Sequence, residues 1–466
     1  MTKFLPYFGI LFGLSLLPRE LLLHTVAFVG MVILVVSVHE FGHYLVARYF
    51  KVRVIRFSVG FGPALGLITD KAGTEWVLAP IPLGGYVRML DEETAKEKKL
   101  DMSECLESKH NWQQFLIYAA GPVANLLLSM AILTGVYIAG EEGLPAKVGI
   151  IIQGSPADKA GLATGDIITD INGRHIALWE QAYDVITDAA LSNEKLVMQT
   201  SAGVREIPAS ALVPTDTEDK AIASEVGFYP DVTYITQTIE EIHPDSPAER
   251  AGLKAGDVLV AIGDDVLDDW VHTKSAIRSR ANVTEPVVLW RDNAPLTLTV
   301  TFEKSNPSKG VYIGYLGMTP WVDYELFSAM RITVGHTPFS AASKAFKKTT
   351  ADMTRTFQFV RHMLAGALSF NKNVSGPVGI AKGAGGAATS GWKTWWQFVA
   401  LISVSLAVVN LLPLPVLDGG RMLVCVVQSF INRRLPAGAS LWLDRIGIMC
   451  VLVIIVSALV ADFSKL

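Results

Sequence analysis

Charged side chains are scarce in this chain. Asp, Glu, Lys and Arg make up 18% of its 466 residues, and half of the chain is hydrophobic; an ordinary soluble domain carries about a quarter charged residues. The shortage excludes a wholly soluble protein and implies membrane spans joined to something more polar. Cysteine is nearly absent as well. Cys105, Cys425 and Cys450 show no C-x-x-C spacing, so a disulfide framework has no basis. Nor is there an excess of basic residues: the formal charge is −4, and no nucleic-acid partner is expected. The apolar opening "FLPYFGILFGLSLL" has no small-residue cleavage site behind it. At 14 residues it falls short of the roughly 20 that a spanning helix needs. It is expected to lie on the lipid or to lengthen the first span.

Long apolar runs are what the chain does have. Four spans are expected, at about 24–46, 115–139, 394–417 and 441–461. Lys and Arg crowd the loop between the first two, from Arg48 to Lys109, and Arg433 and Arg434 lie between the last two. Such loops stay cytoplasmic. The stretch from 141 to 330 then lies outside, and its 29 Asp and Glu against 14 Lys and Arg suit a translocated segment. Both termini are expected outside too.

That outer stretch repeats itself. "SPADKAGLATGDIITDINGRHIALW", Ser155–Trp179, and "SPAERAGLKAGDVLVAIGDDVLDDW", Ser246–Trp270, share Ser, Pro, Ala, Ala-Gly-Leu, Gly-Asp and Trp at an offset of 91. Repetition at that length means two copies of one domain, expected at 145–226 and 227–306. Each resembles the β-rich PDZ domain in its bacterial, protease-associated form. PDZ domains add an extended peptide to a sheet edge; peptide binding and steric gating are both open. Within the linker region 320–390, Phe339, Ala342, Phe346, Met353, Phe357, Val360 and Leu364 recur at helical steps. That helix is expected to lie on the bilayer or to pack on its neighbour.

The first span reads "MVILVVSVHEFGHYLVA", Met31–Ala47. Ionisable groups at mid-bilayer cost at least ~2.5–3.5 kcal/mol and mark function. His39 and His43, four apart, share one helix face and can chelate one zinc ion; Glu40 sits beside it as a general base, the H-E-x-x-H pattern. Histidines hydrogen-bonded between helices are the bland alternative. A hydrolytic zinc site normally takes three protein ligands. The third span ends "NLLPLPVLDGG", Asn410–Gly420, where Pro413 and Pro415 break the helix before Asp418. Alone, Asp418 reads equally as a helix N-cap; beside the histidines it reads as the third ligand.

HEFGH early and NxxPxPxLDGG late, flanking the two PDZ-like modules, resemble the site-2 protease family of intramembrane zinc metalloproteases, and its bacterial members most closely. "FSVGFG" (57–62), "PIPLGGYV" (80–87), "AAGPVANLLL" (119–128) and "NVSGPVGIAKG" (373–383) extend the likeness over nearly the whole chain. The resemblance implies one zinc on His39, His43 and Asp418, with Glu40 as base. It also implies substrate contacts at Asn410 and Pro413, and at Gly60, Phe61 and Gly62 of a membrane-associated β-hairpin or sheet built from 52–90. The fold expected is thus a polytopic α-helical membrane protein with four transmembrane helices, that sheet, and two inserted PDZ domains, in a domain order of 1–140, the modules, 320–390 and 394–466.

The implied activity is cleavage of single-span membrane proteins, of the anti-sigma-factor and remnant-signal-peptide kind, after a first trimming cut. The implied place is the bacterial inner membrane, with modules and termini periplasmic and the site toward the cytoplasm. Two other classes compete. A non-catalytic scaffold presenting peptides has no need of Glu40. A metal transporter would line a path across the bilayer, whereas here the polar groups cluster at one end of two spans.

Overall fold

The computed structural model describes residues 18–212, 226–308, 311–364, 376–431 and short pieces between 442 and 457. The opening 14-residue run and most of the fourth expected span, 441–461, lie outside the described residues. The chain divides into two compact units, one made of the parts up to Ala139 and from Gly335, the other of Gly140–Val334.

Three helices of the first unit are long and apolar enough to cross a membrane. α1 (Arg19–Tyr49) is an unbroken helix rich in Leu and Val that ends where Lys51 turns left-handed at φ 60°. Its 31 residues measure about 46 Å, more than the ~30 Å hydrocarbon layer requires. Four strands follow: β1 (Val54–Phe61), β2 (Gly66–Thr69), β3 (Glu75–Leu78) and β4 (Ile81–Met89). They form one sheet in the order β2-β3-β1-β4. β1 runs parallel to β3, with Phe57 opposite Trp76, and antiparallel to β4. A hairpin alone would not hold a parallel pair; Pro80 splits the expected second strand into β3 and β4, and the added β2 caps the sheet. Tyr44 of α1 meets Phe57 and Trp76 edge to face where α1 meets the sheet, and the ring centroids of Phe57 and Trp76 are 4.7 Å apart.

α2 (Asn111–Ile138) lies against α1. A Cβ on Gly42 would collide with the Ala120 carbonyl and stand 2.7 Å from Ala124 Cβ, so glycine lets these two helices touch along their backbones. α3 (Pro338–Leu364) packs on α2 through Ala341 and Ala345, which join Leu133 and Tyr137, and through Thr349, whose hydroxyl meets that of Ser129 at 3.3 Å. The apolar stripe read from the sequence is not the packed one: Phe339, Phe346 and Phe357 are exposed. On this helix it is the small residues that meet α2, which lets the two backbones come close.

α4 (Pro377–Thr389) was hidden by its glycines. Gly383 and Gly385 leave room for the rings of Phe398 and His24. α5 (Trp392–Asn410) stops seven residues short of the expected limit at 417, because proline removes an amide and clashes with the preceding turn. The chain folds back and restarts as α6 (Asp418–Ile431). Cβ atoms on Gly419 and Gly420 would strike the carbonyls of Leu411 and Leu414; the two glycines allow the fold-back to be this tight.

The second unit contains two sheets of similar build. In the first, strands 203–207, 196–200, 168–171 and 174–175 neighbour one another in that order, and 148–151 pairs with 228–230. Helix Trp179–Ser192 covers a core that includes Ile168, Ile186, Met198 and Phe228. In the second, the order is 294–301, 284–291, 258–262, 235–242 and 318–322, with helix Trp270–Arg278 and a core around Leu259, Leu289 and Phe302. Each such fully buried side chain contributes roughly 1.5–3 kcal/mol of transfer free energy. Pairing carries both sheets beyond the expected limits of 226 and 306, since 228–230 and 318–322 close the strands that begin them. Strands Glu141–Gly143 and Ile332–Val334 pair at the two ends of the unit.

Candidate metal centre

His39 and His43 project from one face of α1 toward α2, and α6 brings Asp418 to the same point. The imidazoles meet edge to face, their centroids 4.8 Å apart. His39 Nε2 lies 3.2 Å from His43 Nε2, and Asp418 Oδ2 lies 3.1 Å from the first and 3.4 Å from the second. Both histidines are buried, at 6% and 7% exposure. Among the described residues this is the one cluster of three His, Cys, Asp or Glu able to share a metal ion.

The spacing tests whether zinc fits. Zinc bonds of 2.0–2.1 Å in a tetrahedron separate neighbouring ligand atoms by about 3.3–3.4 Å. The three observed separations bracket that length. Asp418 Oδ2 is buried and, despite the short distances, no hydrogen bond of proper geometry serves it among the described residues. Two imidazole nitrogens and a carboxylate oxygen therefore converge on one point, and the carboxylate oxygen lacks a hydrogen-bond partner there. The donor set, two imidazoles and a carboxylate, is one that zinc takes in hydrolytic sites.

The supports come from α2. His43 Nδ1 is 2.7 Å from the Ile117 carbonyl, which accepts the ring N–H and leaves Nε2 with a bare lone pair. Gly121 forms the floor: a Cβ there would run into His43 Nε2 and stand 2.7 Å from His39 Cε1. Asn125, fully buried, sets its amide 3.3 Å from His39 Nδ1. Ser403 of α5 donates to the Asn125 carbonyl at 2.8 Å. The sequence reading assigned none of Gly121, Asn125 and Ile117 a role. The available signal was a lone amide and a glycine inside an apolar span, quoted in "AAGPVANLLL" but not separated from its neighbours.

Glu40, half-buried, lies beside β4 and close enough to His39, His43 and Asp418 to interact with their charges. A Cβ on Gly85 would stand 3.4 Å from its Cγ, and the Val87 amide reaches its carboxylate. The remaining expected residues are not in the cluster of three. Asn410 is the last residue of α5 and Pro413 sits, exposed, on the fold-back into Asp418. Gly60, at φ 90°, and Gly62, at φ 110°, flank Phe61 at the end of β1, where the strand register shifts. Phe61 stacks on Tyr86 with ring centroids 6.2 Å apart and covers Gly84.

A buried two-histidine, one-carboxylate cluster held among spanning helices defines a membrane metalloprotein. Comparison with known proteins narrows this. Residues 27–454 match Peptidase family M50. The chain is 35% identical to "Regulator of sigma-E protease RseP" of Escherichia coli over 92% of its own length and 96% of that protein's. It is 33% identical to "Protease RseP" of Yersinia pestis, over 94% and 98%. It is 30% identical, over 96% and 100%, to a Vibrio cholerae protein whose name assigns it to the zinc metalloproteases. The chain belongs to peptidase family M50. It is a membrane-bound, zinc-dependent metalloprotease.

Proposed function

We propose that the chain is an intramembrane endopeptidase whose zinc is held by His39, His43 and Asp418, with Glu40 as the general base. The observation that carries this reading is the near-tetrahedral spacing of three buried donor atoms, drawn from helices 379 positions apart in sequence (39 and 418). When bound, zinc supplies Lewis acidity, polarising the scissile carbonyl and acidifying water. The protein's own groups do the rest. Glu40 takes a proton from the attacking water as its oxygen bonds to the carbonyl carbon. It returns that proton to the amide nitrogen as the C–N bond breaks, so one water is consumed and no other acid is required.

A helical substrate must be unwound before its amides can be reached. β4 is an edge strand of the sheet and lies beside Glu40, which supports strand addition as the means of holding it. In this reading Gly60, Phe61 and Gly62 shape the sheet's rim, and Asn410 and Pro413 line the approach to Asp418. The substrate class is single-span membrane proteins of the anti-sigma-factor or remnant-signal-peptide kind; relatives named as regulators of sigma-E support it. The two β-rich modules serve as PDZ domains on the periplasmic side that exclude substrates with large outer domains until these are trimmed. With a fourth span at 441–461, both termini are periplasmic and the site faces the cytoplasmic end of α1, in a bacterial inner membrane.

Glu40→Gln tests the chemistry. Full-length protein in detergent is expected to keep one zinc per chain while losing cleavage of a model transmembrane peptide by at least about 100-fold. Cleavage at the parent rate removes Glu40 as base. Peptide presentation without cleavage by the parent protein would favour the scaffold reading.

A further inference from the structure

We propose that Asn125 is a positioning residue for His39: its amide oxygen accepts the Nδ1–H of that imidazole and so aims Nε2 at the metal. The inference rests on the ligand assignment above and goes one layer behind it.

Four observations carry it. Asn125 is fully buried at the contact of α1, α2 and α5. Its amide is within hydrogen-bond reach of His39 Nδ1, at 3.3 Å through Nδ2. Its Oδ1 is buried with no hydrogen-bond partner among the described residues. Finally, the other histidine is served in the same way and from the same helix, by the Ile117 carbonyl at 2.7 Å.

The hydrogen count decides which amide atom faces the ring. If Nδ2 donates to Nδ1, the neutral ring carries its proton on Nε2. That proton would point into the space shared with His43 and Asp418, and the nitrogen could not be a ligand. A half-turn about the Cβ–Cγ bond exchanges oxygen and nitrogen with almost no change of shape. Nδ1–H then donates to Oδ1, and Nε2 presents a lone pair. Only this arrangement gives both histidines the tautomer that zinc needs, one oriented by a backbone carbonyl of α2 and the other by a side-chain carbonyl about two turns further along. The hydrogen bond from Ser403 to the Asn125 backbone pins the residue to α5, the helix that leads to Asp418. One position therefore fixes a histidine with its side chain and steadies the carboxylate-bearing segment with its backbone.

The test compares Asn125→Leu, which removes the acceptor and keeps the branching, with Asn125→Asp, which keeps an acceptor in the same place. Zinc affinity of the full-length protein is measured by competition with a chromophoric chelator, and the cobalt-substituted visible spectrum is recorded beside it. Loss of a group orienting a metal-bound histidine typically costs 10–100-fold in affinity. Asn125→Leu is expected to weaken zinc binding by about that factor and to alter the cobalt bands; Asn125→Asp is expected to stay close to the parent in both. Parent-like affinity in Asn125→Leu overturns the proposal. So does equal weakening in both variants, which would make residue 125 a packing element. If Asn125→Leu does not fold, Asn125→Asp decides alone: a retained spectrum and affinity support the role, and their loss refutes it. His39→Ala separates the two levels. Zinc held at parent affinity in that variant would overturn the ligand assignment itself, whatever residue 125 does.

Discussion

A single methyl group under the two histidines should disable the protease without unfolding it. In Gly121→Ala the new carbon would stand 2.7 Å from Cε1 of both rings and closer still to His43 Nε2. Carbon contacts are relaxed from about 3.5 Å outward, so the rings or the whole of α1 must retreat by about 0.8 Å. Ligand distances at a zinc site tolerate roughly 0.2 Å, and the displacement exceeds that several-fold. The fold itself is less affected. Overpacking costs about 1–3 kcal/mol, and replacing a helical glycine by alanine returns about 0.8–1.0 kcal/mol, leaving a net cost of about 0–2 kcal/mol. Gly135 lies nearly four turns further along the same helix with nothing within 4 Å of its absent Cβ, so Gly135→Ala is the control. The assay is zinc per chain by elemental analysis, next to thermal unfolding and peptide cleavage in the same detergent. Gly121→Ala should purify folded with zinc well below one per chain, and Gly135→Ala should match or slightly exceed the parent. Full zinc and parent-rate cleavage in Gly121→Ala would refute the reasoning that this glycine keeps the floor of the site open.

The size gate predicts that excising residues 144–331 permits cleavage of an untrimmed substrate; strands Glu141–Gly143 and Ile332–Val334 already pair, so a short glycine link can rejoin them. Continued dependence on trimming in a cleavage assay counts against the gate. The second β-rich module should be acid-labile. Burial pushes the Asp257 carboxyl up, but the hydrogen bonds and charge of Arg291, at 2.7 Å, outweigh it and hold Asp257 below the usual range. Its contribution is therefore whole above the ordinary carboxylate value of about 3.9 and is lost as pH falls through the lower folded value. Asp257→Asn should flatten that acid limb in a denaturation series, and an unchanged limb would assign it to other carboxylates.

The sequence made the histidine pair legible because helical spacing is local: residues four apart must share a face. Asp418 was legible for another reason, that two prolines and two glycines in an apolar run announce a broken helix. Their meeting across the chain followed from family resemblance, and the short distances give it physical content. Three things were not readable. α4 hid behind Gly383 and Gly385, which look like loop until the rings they accommodate are known. On α3 the apolar stripe left open whether it meets the bilayer or a neighbour, and it gave no sign that the small Ala341 and Ala345 make the contact with α2 while Phe339, Phe346 and Phe357 stay exposed. The support supplied by α2 escaped because a backbone carbonyl such as that of Ile117 carries no mark in the sequence.

The fold-back from Asn410 to Asp418 also sets a schedule. The imidazoles are made early and the carboxylate late, with 374 residues between His43 and Asp418. At 5–20 residues per second, synthesis needs about 20–75 s to cross that gap. Throughout that interval the nascent chain holds two donors and lacks the third. On the proposed ligand set, a membrane hydrolase built this way cannot complete its metal site until the segment carrying Asp418 has been made.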